Sequence, residues 1–139
     1  MGGVPNQLAS SLQVSDAKVA TGQGTAVATP AYINGMIFIL DMTVLATDAT
    51  DTIDVRIQTL LDGTNWLDIV RFPAIDGADS ATRHVDMVTP ALGEAQFEVA
   101  SALAVTVQRN LLGSQMRASW IVVDANAASF TFSIQMVGV

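Results

Sequence analysis

Residues Thr52–Leu60 alternate strictly, with Ile53, Val55 and Ile57 on one side and Asp54, Arg56 and Gln58 on the other. Successive side chains of an extended chain point to opposite faces, so this period of two predicts a half-buried strand. Asp62-Gly63-Thr64-Asn65 follows as a turn, with Asp and Gly where turns use them. Trp66–Phe72 then returns as the partner strand and ends at Pro73. The same alternation recurs in Ser129–Val137, where Phe130, Phe132, Ile134 and Met136 share one face and Thr131, Ser133 and Gln135 the other.

Weaker patterns fill the rest of the chain. Met36–Ala46 is long enough for a helix, but Ile, Phe, Thr and Val favour strand and no helical spacing organises the polar positions. It predicts a long central strand with a bend or bulge near Asp41. Lys18–Ala20, the Gly-rich turn Thr21–Gly24 and Thr25–Thr29 read as strand, turn and strand. Thr82–Val88 reads as a strand with Val85 and Met87 facing one way, and Met116–Val123 as a strand carrying Trp120. Ala104–Arg109 alternates, and Phe97–Val99 is a short strand or an isolated turn of helix. Turns separate these runs at Pro30, Asn34-Gly35, Thr47–Asp51, Asp76–Ser80, Pro90–Glu94, Asn110–Gln115 and Asp124–Ala128.

About eight strands with closely spaced turns and no convincing helix predict an all-β antiparallel domain: a β-sandwich, a jelly roll or a barrel. The length of 139 residues suits one domain with a self-sufficient core. Residues 18–139 form that domain in this reading. Residues 1–17 form an extended N-terminal arm, because Gly2, Gly3 and Pro5 break regular structure and Val4, Leu8 and Leu12 are too sparse for a helix face. Those three apolar residues suit docking on another surface.

Composition changes the picture in one respect. Half the residues are apolar and 14% are charged, against about 25% charged in ordinary soluble domains. Such a surface suits a chain much of which faces other protein, or else a well-buried monomer. The net charge of −7 and the lack of a basic stripe argue against direct nucleic-acid binding. No apolar run approaches the ~20 residues that span a bilayer, so no membrane segment is expected. The N-terminus has no signal-peptide pattern, and Asn6 stands where N-myristoylation expects Ser or Thr. The absence of cysteine excludes disulfides and thiolate metal sites.

No catalytic constellation emerges. His84 is the only histidine, and by its alternation with Val85 and Met87 it is expected on the outer face of its strand. No Gly-x-Ser-x-Gly elbow accompanies it. Asp41, Asp48, Asp51 and Asp54 cluster in sequence, as do Asp76 and Asp79, but neither group has a calcium-loop spacing. Turn capping is the better reading of the two groups. Trp66 and Trp120 read as core or interface anchors rather than sugar platforms. Arg56 and Arg71 either meet Asp54 and Asp68 across the hairpin or face a partner. The chain is expected to be no enzyme and to hold no cofactor or metal.

The segment Ile53–Ile69 (IDVRIQTLLDGTNWLDI) resembles a hairpin of small virion proteins of tailed bacteriophages, in which D-V-x-I-Q precedes D-G-x-x-W and a D-I pair. Met116–Val123 with Phe130–Ile134 is similar to the closing strands of the same group. The resemblance implies a capsid cement, or decoration, protein on the outside of a shell of major capsid protein. It implies assembly in the host cytoplasm and self-association as a homodimer or homotrimer at a capsid symmetry axis. Similar hairpins in head fibres and tails keep open a second expectation, a carbohydrate- or receptor-binding β-sandwich module. Val4, Leu8, Leu12, Arg56, Arg71 and Trp66 are the candidate interface residues.

Overall fold

Ten strands and no helix occur among the residues that the computed structural model describes, which are 8–30, 33–45, 48–89, 111–123 and 128–139. The strands are β1 (Leu8–Lys18), β2 (Gly22–Gln23), β3 (Val27–Ala28), β4 (Met36–Val44), β5 (Thr52–Leu60), β6 (Trp66–Arg71), β7 (Ile75–Asp76), β8 (Thr82–Val88), β9 (Gln115–Val123) and β10 (Phe130–Gly138). They form two antiparallel sheets. Sheet A has the order β1-β10-β4-β8; sheet B has the order β2-β9-β5-β6, with β3 also on β9 and β7 on β5. The chain is therefore an all-β, sandwich-like domain.

Alternation decides what lies between the sheets. From sheet A, Phe38, Leu40 and Met42 of β4 and Phe130, Phe132, Ile134 and Met136 of β10 are buried. From sheet B, Ile53, Val55 and Ile57 of β5 and Met116, Ala118 and Trp120 of β9 join the same cluster. Two sheets packed face to face remove both sets of alternate residues from water at once, which is the main stabilising term of such a fold. Thr59 is the polar member of the β5 inner row, and its hydroxyl is satisfied: it donates to Gln115 O at 3.0 Å and accepts from Gly113 N at 2.7 Å.

Several expectations need correction. The segment read as an arm is, from Leu8 onward, strand β1 at the edge of sheet A, paired with β10. Apolar spacing did not reveal it because β1 is bulged, with register shifts between Ser11 and Gln13 and between Gln13 and Asp16 that break the period of two. Lys18 closes this strand rather than opening another, and the strand expected at Thr25–Thr29 contracts to β3. The irregularity in β4 falls at Thr43, where the partner register shifts between Thr131 and Phe132.

His84 lies on the face opposite to the one expected. It pairs in register with core-facing Leu40, and paired residues point to the same side. Its ring sits 6.2 Å from that of Phe72. Val85 and Met87 instead face outward, 64% and 41% exposed. Phe97–Val99, Ala104–Arg109 and the turns at Pro90–Glu94 and Asp124–Ala128 fall wholly or partly outside the described residues.

Candidate functional site

The outer face of sheet B carries a continuous polar network built on the β5–β6 hairpin. Ladder register sets Arg56 directly opposite Arg71 and Gln58 opposite Asp68, with a bulge at Ile69 between the two pairs. Arg56 donates to Asp54 and to Asp68, both at 3.0 Å, and Arg71 donates to Asp54 at 2.6 Å. Gln58 donates to Asp68 at 2.8 Å and accepts from Arg117 of β9 at 2.8 Å. The Arg117 guanidinium lies 4.1 Å from the ring centre of Trp66, a cation–π contact.

Burial works against the charge on Arg56, but its hydrogen bonds to Asp54 and Asp68 outweigh that and raise its pKa. Desolvation lowers the pKa of Arg117, opposed by the nearby charge of Asp68. The Arg56 and Asp54 side chains are only 13% and 14% exposed. Their bonding capacity is spent largely on one another; beyond the network, Ile121 and Val123 of β9, 39% and 55% exposed, share the same outer face.

The outer face of sheet A has apolar side chains on three neighbouring strands. Ladder register aligns Val137, Ile37 and Met87 in one row across β10, β4 and β8, and Gln135, Ile39 and Val85 in the next. The following row, Ser133, Asp41 and Arg83, is polar, with an ion pair of Arg83 and Asp41 at 3.2 Å. An apolar patch thus occupies one end of this face. Sequence reading missed it because MIFIL in β4 is apolar on both faces, which leaves no alternation to say which side is the core.

The predicted interface residues separate into two groups. Arg56, Arg71 and Trp66 come together on sheet B. Leu12 is 4% exposed and belongs to the core cluster, so it does not present a docking side chain. Leu8 opens β1, and Val4 lies outside the described residues. Asp68, Gln58 and Arg117 complete the network, and the shared outward parity of Asp54, Arg56 and Gln58 was the signal that pointed to it.

Three of the acids clustered in sequence cap turns, whereas Asp41 and Asp54 pair with arginines instead. Asp48 accepts from Thr50 N at 2.9 Å, Asp76 from Ala78 N at 2.8 Å and Asp79 from Asp76 N at 2.9 Å. Among the described residues no three His, Asp or Glu side chains gather as a metal site. Trp120 is 5% exposed and donates its indole N–H to Ala20 O at 3.0 Å. The chain matches no protein-family model, and no curated protein is significantly similar to it in sequence.

Proposed function

We propose that this chain is a structural virion protein, a capsid cement protein that binds the outside of a major capsid protein shell and stabilises it. The observation that carries this reading is the exposed apolar end of the outer face of sheet A. The hairpin that resembles those of small phage virion proteins is locked by its own ion-pair network, while the face of sheet A leaves Val85 and Met87 open beside Ile37 and Ile39. An exposed apolar patch of this kind marks a contact surface. Many copies on one shell make a modest contact sufficient, because attachment at several points multiplies small affinities. Self-association as a homodimer or homotrimer would place two or three such faces on the shell together.

The test is copurification. Purified particles of the source virus carry the chain at hundreds of copies in this reading, and Val85→Asp with Met87→Asp removes it from them while the free protein still folds. Absence from purified virions overturns the proposal. A carbohydrate- or receptor-binding module is less well supported. Among the described residues no aromatic side chain is exposed, and Trp66 lies half-buried under Arg117. Glycan binding lost on Trp66→Ala would favour that module instead.

A further inference from the structure

Backbone parity shows which way the polar groups of β8 point. Gly35 and Val139 exchange both amide bonds, N to O, at 3.2 and 3.1 Å. In an antiparallel ladder bonded and non-bonded pairs alternate, so Ile37 and Ile39 bond toward β10 and Met36, Phe38 and Leu40 bond toward β8. Their partners there are Val88, Asp86 and His84. Arg83, Val85 and Met87 therefore direct their N–H and C=O groups away from β4. Asp86 independently agrees, since its carboxylate accepts the Met87 N–H at 2.8 Å.

Among the described residues β8 pairs on one side only. It also differs from the other long edge strands. β1 has two register shifts and β6 has a bulge at Ile69, whereas β8 runs in unbroken register over Thr82–Met42 to Val88–Met36. Bulges blunt an edge against pairing, and an even ladder of outward-directed groups invites it. The side chain at the centre of this edge is Val85, an exposed β-branched residue suited to a strand pair.

We propose that β8 is a homodimer seam, on which a second copy adds its own β8 antiparallel about a two-fold axis at Val85. The sequence of the strand selects that register. Centred on Val85, the pairing sets His84 opposite Asp86 of the other copy and Arg83 opposite Met87. Centred one residue later it sets two Asp86 carboxylates face to face, and one residue earlier two His84 rings. Only the first offers an imidazole N–H donor to each carboxylate, and like charges directly opposite are disfavoured. Met87 N–H passes from the Asp86 carboxylate to the C=O of Arg83 in the second copy, which releases that carboxylate for His84. Two four-stranded sheets become one of eight strands, and the apolar rows ending at Val85 and Met87 continue across the seam. This develops the self-association named above but needs no shell, so its failure leaves capsid binding untouched.

The chain lacks cysteine, so one introduced thiol reports on one position. Val85→Cys places two thiols on the axis, with Cα atoms about 5.5 Å apart in a bonded pair, within the range a disulfide spans. Val14 on the opposite edge is equally exposed, at 66%, and Val14→Cys is the control. The purified protein is expected to sediment as a dimer, Val85→Cys to oxidise to a covalent dimer at least about tenfold faster than Val14→Cys, and Val85→Lys to raise the dissociation constant about tenfold or more. Val85→Pro, which removes only an edge-facing N–H, abolishes the dimer while keeping the far-ultraviolet spectrum. A protein monomeric at all concentrations, equal oxidation of the two thiols, or a dimer that survives Val85→Lys overturns the proposal.

Discussion

Arg56 and Arg71 stand directly opposite each other on the outer face of sheet B, and the Asp54 carboxylate bonds to both. Like charges in this position repel, so Asp54 converts an unfavourable cross-strand pair into a bridged one. Replacing it by Asn removes the bridging charge and leaves two adjacent guanidinium groups partly shielded from water. Asp54→Asn is expected to cost about 2–3 kcal/mol, near the value for hydrogen bonds to charged groups. Arg71→Met, which relieves the repulsion and leaves Asp54 with Arg56, should cost less. Urea unfolding of the two variants checks the order.

Gly113 is held by proximity. A Cβ there would lie 2.0 Å from the backbone oxygen of Leu60. Ser114 N donates to that same oxygen at 3.1 Å, and Gly113 N donates to Thr59 Oγ at 2.7 Å. Any side chain must push the approach to β9 away from the end of β5. Gly113→Ala is expected to destabilise by about 1–3 kcal/mol, the usual cost of overpacking, with a fall in the thermal midpoint as readout.

The hairpin turn should respond to acid. Asp62 accepts from Asn65 N at 2.7 Å, Asn65 Nδ2 at 2.7 Å and Thr64 N at 3.0 Å. These bonds, that from Asn65 N foremost, hold its carboxyl below the ordinary 3.8. Folding lowers this pKa, so the unfolded chain takes up the proton first. The stabilisation is complete above the unfolded value and is lost as pH falls through the folded one. The stability gap between the native chain and Asp62→Ala should therefore narrow on acidification below about pH 4. Gly63, at φ +83°, supplies the left-handed residue that the same turn requires, and Gly63→Ala should cost about 1 kcal/mol at any pH.

The parts of this fold that sequence revealed are those where one face is wet and one dry. β5 is found at its predicted bounds, and the inner row of β10 is the predicted one, because a period of two survives only in a regular, half-buried strand. β1 was hidden by its bulges, and His84 was misplaced because the outer face of β8 is the more apolar one. Hydrophobicity reports burial only when the outer face is polar. A strand apolar on a solvent face inverts the inference, and such inversions cluster at contact surfaces. Of the site, the ion pairs of Arg56 and Arg71 were one of two readings that cross-strand spacing left open. Arg117 was not legible, since nothing local says that β9 lies beside β5.

Trp120 and Phe132 test the packing of one sheet on the other. Their rings meet edge to face with centroids 5.7 Å apart, one from β9 in sheet B and the other from β10 in sheet A. Lys18 Nζ lies 4.7 Å from the Trp120 ring centre, and a Cβ on Gly22 would come within 3.3 Å of the same ring. Phe132→Ala removes a fully buried ring and should cost about 3–5 kcal/mol. Trp120→Phe loses the bond to Ala20 O and should cost about 1–2 kcal/mol, part of it from a carbonyl left without its donor. Because the rings touch, the two effects should not add: a double-mutant cycle with Trp120→Leu and Phe132→Leu is expected to give a coupling of about 0.5–1.5 kcal/mol. A coupling near zero would mean that the sheets are not in contact at this point, and the edge-to-face pair would then have to be abandoned as the lock between them.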